Sequence, residues 1–534
     1  MLGNNKRTDG KQFYFVGGGL GSLTGAAYLL RDCSFEGKDI HIIEAMPVPG
    51  GSNDATGDPE HGWVARGERM FNKQTYENFW DIMSSIPSAD DPNVSVTDDM
   101  LEFSATKPCK AKARLLDADG EIMDCSSYGL NKAELLQVLN LLKTEESEMD
   151  DLTIADWFGE RSHFFSTPFW YIYEGTFAFQ PWSSVIEFKR YLTRFFHLIT
   201  RINTANGVTL TRHSQYESVI KPLVKVLEEA GVDFVYDTVV TDLDFAQGDG
   251  ITVTGLHASC RGKESYIKLN AGDDVVVTLG CMTDNATFGD YDTPAGYDPS
   301  YPMSAQLWRS IAAKKQGLGN PDKFFAHPDK SKWMTFSCTF KGSTFMDWLE
   351  RYTHNKTGEG LLTTFTGSPW HMEMRNPLPP YFENQPDGYT YMFLCAFYPD
   401  EPGRYTGKPA TACTGKEFLD EILMSLPMDE ETRAKCYDEV VAAVPVMLPY
   451  TDAHFLPRAA GDRPEVVPAG STNLGLIGQY VEIPEDVVFT EEYSVRGART
   501  AVYQLLDMNK AVCPVRPVQY DIRVILAALV SYLK

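Results

Sequence analysis

Apolar positions near the N-terminus follow a strand pattern, then a helix pattern, then a strand pattern again. The apolar run at 13–16 has the length of a buried strand, and small and apolar residues at 23–30 have helical character. A second strand is predicted at 39–43, and glycines fill the connection at 17–19. The pattern predicts one complete strand-turn-helix-strand unit.

Three later segments return to the same sheet pattern. Residues 231–245 alternate like paired strands, and 270–285 contain a buried strand that ends at Thr278. Near the end, a strand and a turn at Gly478 precede a helix that starts at about Glu491, with Thr490 as its N-cap. Such returns are typical of a discontinuous dinucleotide domain. We predict an α/β fold whose Rossmann-like, discontinuous dinucleotide-binding domain comprises residues 11–110, 205–300 and 440–512.

Aromatic residues concentrate between these pieces, at 162–182 and 188–202. They suit an apolar substrate lobe, although any single ring is more often part of an ordinary core. We assign 111–204 and 301–439 to an α+β substrate lobe. The last residues, 523–534, are apolar with basic ends, which predicts a C-terminal helical tail over 513–534. That tail either docks on the body or lies on a membrane surface.

Charge and cysteine content exclude several classes of protein. The 534 residues include 48 basic and 73 acidic ones, for a formal charge of −25, which disfavours nucleic acid. The ten cysteines show no CxxC pair and no zinc-ligand spacing, so we expect no metal. The polar N-terminus lacks the apolar run of a secretion signal. We expect a cytoplasmic protein, either monomer or homodimer, with possible peripheral membrane contact through the tail.

The glycine turn carries the chemistry of a dinucleotide site. Gly17 and Gly19 allow a sharp turn and the close approach of a pyrophosphate to a helix N-terminus, and Ser22 occupies the third glycine position. Glu44, at the end of the second strand, is placed to accept a ribose hydroxyl, and glycines follow at 50–51. The chain then does not continue as a simple βα series, which favours FAD over NAD. Further residues expected at the FAD site are Leu20, Gly51, Ser52, Arg66, Gly67, Val240, Thr278, Gly280, Gly478, Phe489 and Ser494.

Several blocks of the chain together resemble the oleate hydratase family, the FAD-binding fatty acid hydratases once called myosin-cross-reactive antigens. The blocks run in order and span nearly the whole chain: 17–30 with Glu44 and 50–52, then 63–72, 177–197, 212–223, 277–285, 410–418, 448–468 and 477–496. The resemblance implies addition of water across a cis double bond of an unsaturated fatty acid, with FAD as an organising cofactor and no net redox change. Two alternatives stay open: a flavoprotein double-bond isomerase, and a non-catalytic flavin- or lipid-binding protein.

Catalytic roles follow from the resemblance. An isolated alkene is a very poor base, so its hydration requires a positioned proton donor and a carboxylate that holds water. Tyr191 matches the family tyrosine proposed to protonate the alkene, and Glu68 corresponds to the water-activating glutamate. The common family loop reads Arg-Gly-Gly-Arg-Glu-Met, whereas residues 66–70 read Arg-Gly-Glu-Arg-Met, one residue shorter with acid and base exchanged.

The predicted head-group site also departs from the family pattern. Gln215 matches a family position near the substrate carboxylate. Where the family supplies Thr, Asn and His, this chain offers Arg375, Asn376 and Tyr381, and Arg375 is suited to bidentate pairing with a carboxylate. Ser183 stands where many members have His. The resemblance implies a substrate of the oleate type, and these departures suggest a shift in chain length, bond position or head group, so strict specificity for oleate is not assumed.

Overall fold

A computed structural model describes residues 10–360 and 362–523 of the chain. The strands, numbered along the chain, are β1 (Phe13–Val16), β2 (Ile40–Ile43), β3 (Ala55–Asp58), β4 (Gly62–Ala65), β5 (Phe71–Asn72), β6 (Leu115–Leu116), β7 (Val208–Thr209), β8 (Asp233–Val235), β9 (Thr238–Phe245), β10 (Val253–Cys260), β11 (Lys263–Lys268), β12 (Asp274–Thr278), β13 (Thr287–Phe288), β14 (Trp333–Lys341), β15 (Thr363–Phe365), β16 (Met372–Arg375), β17 (Tyr389–Ala396), β18 (Val440–Leu448) and β19 (Leu474–Ile477). The α-helices are α1 (Leu20–Cys33), α2 (Glu77–Met83), α3 (Val96–Thr106), α4 (Lys132–Lys143), α5 (Ile154–Phe158), α6 (Pro168–Phe177), α7 (Val185–Arg194), α8 (Lys221–Glu229), α9 (Met303–Lys314), α10 (Asp322–Phe325), α11 (Pro328–Ser331), α12 (Thr344–Thr353), α13 (Gly415–Met424), α14 (Glu430–Asp438) and α15 (Glu491–Leu505).

One sheet is parallel, and its five strands have the order β19-β12-β1-β2-β8. The three returns predicted from the sequence supply β8, β12 and β19, so a discontinuous chain completes the sheet around the N-terminal unit. Helix α15 packs beside α1 and begins at an N-cap where the Thr490 side chain accepts the Tyr493 N–H. The predicted α/β fold class is thereby confirmed.

A second, mostly antiparallel sheet has the order β13-β18-β14-β17-β16-β15-β6. Alternate residues of β16 point to its two faces, as strand geometry requires. Met372 and Met374 join an apolar core together with Phe418 of α13. Glu373 and Arg375 point to the opposite face, which forms one wall of a cavity. The strand thus presents two charged groups to the interior of the molecule.

The predicted domain boundaries stay a prediction, and two elements that they assign make contacts outside their assigned domain. β18, assigned to the cofactor domain, pairs along its length with β14 in the second sheet. α9, assigned to the substrate lobe, packs on β9, and its buried Trp308 also contacts Phe324 of α10 and Tyr480, which follows β19. Backbone pairing and aromatic packing across the chain decide these placements.

The C-terminal helix predicted at 523–534 lies outside the described residues, apart from residue 523. The segment before it contains a short 3-10 helix, Val518–Tyr520. Over the ranges 10–360 and 362–523, no helix combines the length and the apolarity needed to cross a membrane.

Candidate active site

The turn between β1 and α1 is shaped for close backbone approach. Gly17 has φ +96°, and a side chain at Gly18 would meet the Glu44 carboxylate at 2.9 Å. At Gly19, the N-cap of α1, the nearest atom to an added Cβ is the Gly51 Cα at 3.9 Å, so open space lies at the helix N-terminus. Free N–H groups at a helix start attract a phosphate. The turn fits a pyrophosphate.

Glu44 lies in the same cleft, at the end of β2. Its carboxylate accepts the N–H of Gly18 at 2.5 Å and that of Met46 at 2.7 Å. Burial raises the pKa of Glu44, and these two backbone donors oppose the shift. The carboxylate is therefore fixed by the backbone at the position where a ribose hydroxyl donor is expected.

The cleft leaves about 1820 Å³ of empty space. Its walls include nearly every residue predicted for the cofactor: Gly17, Gly19, Leu20, Glu44, Gly51, Ser52, Arg66, Val240, Thr278, Gly280, Gly478, Phe489 and Ser494. Gly67 is not among them, and a Cβ there would meet the Arg69 guanidinium at 2.4 Å. The glycine-lined phosphate position and the carboxylate of Glu44 in the same cleft fit FAD.

Glu491 is a cleft residue that sequence reasoning did not identify as such. It opens α15 and is buried, and its Oε1 accepts the Asn53 side-chain N–H at 2.8 Å while Oε2 has no hydrogen-bond partner. Burial raises the pKa of Glu491 to about 8, although the Arg69 charge opposes this. The helix start at Thr490 was the available signal, because the first residue of this helix faces the cleft. Glu491 thus presents a buried oxygen able to bond a bound cofactor.

Arg69 lies at the boundary between this cleft and a second cavity. One of its nitrogens donates to the Ser52 hydroxyl at 3.2 Å, and its guanidinium lies over the Phe489 ring at 5.1 Å. Arg69, Phe489 and Thr490 line both spaces. The two spaces therefore adjoin at this arginine.

The second cavity is mainly apolar and leaves about 1090 Å³ of empty space. Aromatic walls come from the stretches singled out in the sequence and from the second sheet: Phe71, Tyr76, Phe177, Tyr191, Phe195, Trp333, Phe393 and Phe397. The same stretches also fill the core around the parallel sheet. Some of their rings are therefore core, and others face the cavity.

Tyr191, on α7, presents its hydroxyl in this cavity. The ring packs on Phe177 and Phe455, and the hydroxyl oxygen accepts the Phe489 N–H at 3.0 Å. Burial raises the pKa of Tyr191 well above its usual value, and the Phe489 N–H opposes this. The hydroxyl consequently keeps its proton and is held by a donor that would stabilise a phenolate.

Glu68 also lines this cavity and pairs with the guanidinium of Arg375. Both side chains are nearly inaccessible, at 4% and 6% exposure. The Arg375 guanidinium also lies over the Tyr381 ring at 5.3 Å. The shortened loop therefore directs Glu68 toward the second sheet and Arg69 toward the cofactor cleft.

The other predicted head-group residues lie around this pair. The Gln215 side chain donates to the Arg69 carbonyl at 2.5 Å, which fixes the loop. Asn376 and Tyr381 line a small third cavity, to which Arg375 also contributes. The Ser183 hydroxyl accepts the Gln180 N–H at 3.0 Å within a turn. The structure thus brings Arg375, Asn376 and Tyr381 together and keeps Gln215 under the loop.

Sequence reasoning also missed two charged residues of the second cavity. Arg114 immediately precedes β6, and Glu373 lies two positions before Arg375 on β16. Burial raises the pKa of Glu373 to about 7, while the Arg114 charge opposes the shift. For Glu373 the alternation along β16 was an available signal, whereas the two-residue β6 offers none for Arg114.

Comparisons with known proteins identify the family of this chain. The MCRA family model matches residues 10–503. An oleate hydratase of Streptococcus pyogenes serotype M49 (strain NZ131) is 34% identical over 531 residues, covering 97% of this chain and 89% of that protein. A linoleate hydratase of Lactiplantibacillus plantarum is 33% identical over 524 residues, covering 91% and 92%.

Solved structures show a likeness in fold alone. The cyclohexylamine oxidase of Brevibacterium oxydans IH-35A aligns with a TM-score of 0.51 at 10% identity, over 93% of this chain and 99% of that one. An oxidoreductase of Methanosarcina mazei aligns with a TM-score of 0.50 at 11% identity, over 92% and 100%. The family match and the two hydratase relatives confirm the resemblance seen in the sequence: the chain belongs to the MCRA family.

Proposed function

We propose that this protein is an FAD-dependent hydratase that adds water to a cis double bond of an unsaturated fatty acid, giving a hydroxy fatty acid with no net redox change. One observation carries the proposal: a tyrosine hydroxyl and a carboxylate line a single apolar cavity that adjoins a dinucleotide cleft. The names of the two relatives, oleate hydratase and linoleate hydratase, support the same class of substrate.

Tyr191 is the proton donor of this mechanism. Its hydroxyl transfers a proton to one alkene carbon, and the Phe489 N–H at 3.0 Å stabilises the phenolate that forms. The charges that act on Tyr191, from Glu187 and Asp486, are negative and disfavour the phenolate. The phenolate is therefore short-lived, and at the end of the cycle the proton that Glu68 takes from water returns through solvent to Tyr191.

Glu68 is the base. Its carboxylate accepts a proton from a water molecule as the water oxygen bonds to the other alkene carbon. The ion pair with Arg375 fixes the position of Glu68, and the Gln215 bond to the Arg69 carbonyl fixes the loop that carries it. Orientation is the main contribution of these partners, because water and alkene must meet in one geometry.

FAD, when bound, would supply a rigid polar and aromatic surface to the site. The residues that would hold it are the glycine turn for the pyrophosphate, Glu44 for the ribose, and Arg69 with Glu491 near the junction of the two spaces. Because Arg69 lines both spaces, its position couples the cofactor to the substrate cavity.

The test is incubation of the FAD-loaded protein with a panel of cis-unsaturated fatty acids in ¹⁸O water, without oxygen, with and without a flavin reductant. Mass spectrometry is expected to show one labelled water per product molecule. Migration of the double bond without a mass gain would indicate an isomerase. Bound flavin and bound lipid with no product at all would indicate a binding protein.

A further inference from the structure

Arg114 is a buried cation at the wall of the substrate cavity. Its side chain is 1% exposed and contributes to the cavity lining. One terminal nitrogen donates to the Ile202 carbonyl at 3.1 Å and the other to the Thr176 hydroxyl at 3.2 Å, while Nε has no hydrogen-bond partner. A guanidinium carries five N–H donors, so Arg114 retains capacity for an acceptor.

No carboxylate in the described part of the chain forms an ion pair with Arg114. Other buried arginines do have such partners: Arg194 bonds Asp486 at 3.1 Å, and Arg463 bonds Glu187 at 2.9 Å. Burial lowers the pKa of Arg114, and the charge of Glu373, which lies beyond ion-pair distance, opposes this shift only in part. The site is therefore electrostatically incomplete and favours an anion.

Glu373 is the acidic group whose charge acts most strongly on Arg114. Its Oε2 accepts the Thr364 hydroxyl, and its Oε1 has no partner. The nearby charges that act on it are those of Arg114 and Glu174. Five charged residues line the cavity, the cations Arg69, Arg114 and Arg375 against the acids Glu68 and Glu373. The walls thus hold an excess of at least one positive charge, which matches one fatty acid carboxylate.

Two of these three cations already contact other groups and are therefore less available to a substrate carboxylate. Arg375 pairs with Glu68, and Arg69 faces Ser52 and the Phe489 ring at the cofactor boundary. Arg114 does not line the cofactor cleft. Among the described residues that line the cavity, Arg114 is the cation that neither forms an ion pair with a carboxylate nor lines the cofactor cleft.

We propose that Arg114 anchors the carboxylate of the fatty acid, so that the hydrocarbon chain runs along the aromatic walls to Tyr191. This inference rests on the proposed function and adds a head-group contact to it. The guanidinium bonds the carboxylate through its free donors. Glu373 lies beside the same position, and its unpartnered oxygen donates a hydrogen bond to the substrate when protonated.

The experiment is equilibrium dialysis of the FAD-loaded protein against radiolabelled myristate and 1-tetradecanol below their aggregation limits. Neither ligand has a double bond, so binding is measured without turnover. We expect the wild type to bind myristate more tightly than the alcohol, by about 10- to 100-fold, as for a charged hydrogen bond. Arg114→Gln should lose that preference and keep its affinity for the alcohol, and Arg114→Lys should recover part of it.

Two further variants keep the result decisive if Arg114→Gln does not fold. Glu373→Gln removes the competing negative charge, so myristate binding at pH 8 should tighten while alcohol binding stays constant. Arg201→Gln is the matched control, because it removes another arginine whose Nε has no hydrogen-bond partner but that lies outside the cavity lining, and it should retain the preference for the acid. Loss of the preference in Arg375→Gln but not in Arg114→Gln would place the carboxylate at the third cavity and overturn the inference. A wild type that binds neither ligand would instead contradict the proposed function.

Discussion

The cofactor cleft and the substrate cavity share Arg69, Phe489 and Thr490, yet they are built from different parts of the chain. The cleft is largely backbone: glycines, a helix N-terminus, and a carboxylate held by two main-chain donors. The cavity is made of side chains from α6, α7, the 66–70 loop and the second sheet. One space is therefore specified locally, and the other only after the sheet has assembled.

Because of this difference, we expect the two spaces to differ in which amino-acid substitutions they tolerate. A backbone site admits few substitutions, because a new Cβ occupies the ligand's own position. A side-chain site allows exchange, provided that charges remain balanced. The exchanged Glu68 and Arg69 are such a case, since Arg375 now pairs with the displaced acid. The substrate cavity is thus the region where family members are expected to diverge.

The largest effect is expected from Gly19→Val, which alters only the cofactor cleft. The space at the N-terminus of α1 would be filled by the side chain, so FAD binding should be lost entirely. The flavin absorbance of the purified variant measures this directly. Gly296→Val is the matched control, because it places a side chain on an exposed glycine whose nearest neighbour lies 4.0 Å away. Stoichiometric flavin in Gly19→Val would contradict the assignment of the turn.

Tyr191→Phe should have the opposite signature, because it alters only the substrate cavity. Hydration is expected to be abolished while FAD remains bound, since a single hydroxyl is removed. Product formation and flavin content are measured on the same sample. Tyr28→Phe is the control: it removes a buried hydroxyl that donates to the Asn78 carbonyl outside both spaces. Full activity in Tyr191→Phe would end its assignment as the proton donor.

The sequence predicted the cleft far better than the cavity, for a physical reason. Short-range patterns determine the glycine turn, Glu44 and the N-cap at Thr490, and the structure places all three where expected. The pairing of Glu68 with Arg375 joins positions about 300 residues apart through the second sheet. β18 likewise joins that sheet because it matches β14, which no local pattern reveals. Arg114 shows the same limit, since its burial depends on α6 and on residue 202.

Glu68→Gln is expected to slow hydration by about 10²- to 10⁴-fold, the usual range for an acid–base group. Arg375→Gln should reduce turnover less, because it leaves the carboxylate in place but unfixed. Turnover and KM are measured for both variants. Loss of the base should lower kcat in Glu68→Gln. The smaller loss of kcat in Arg375→Gln reflects lost orientation, and Arg375→Lys should recover part of it. An effect of Glu68→Gln below about threefold would move the base to another residue.

The smallest effect is expected on the pH dependence of the free energy of unfolding. The comparison uses one acid from each space, Glu373 of the substrate cavity and Glu44 of the cofactor cleft. The pKa of Glu373 is raised to about 7 by burial, against an ordinary value of 4.5, so the folded state binds more protons than the unfolded state between these values. The free energy of unfolding should therefore fall as pH rises from about 5 to 8, on the order of 1–3 kcal/mol for this group. Arg114, Glu174 and Cys395 are the titratable groups whose charges couple to it.

Urea unfolding of the cofactor-free wild type, Glu373→Gln and Glu44→Gln at pH 5 and pH 8 measures this difference. Glu373→Gln should remove its share of the fall, because glutamine carries no proton in this range. Glu44→Gln should change the slope less, because the Gly18 and Met46 N–H groups stabilise its charged form and oppose the effect of burial. Equal slopes in all three proteins would show that the cavity does not hold a protonated acid. The difference matters for binding, since a neutral Glu373 leaves the charge of Arg114 available to a substrate carboxylate.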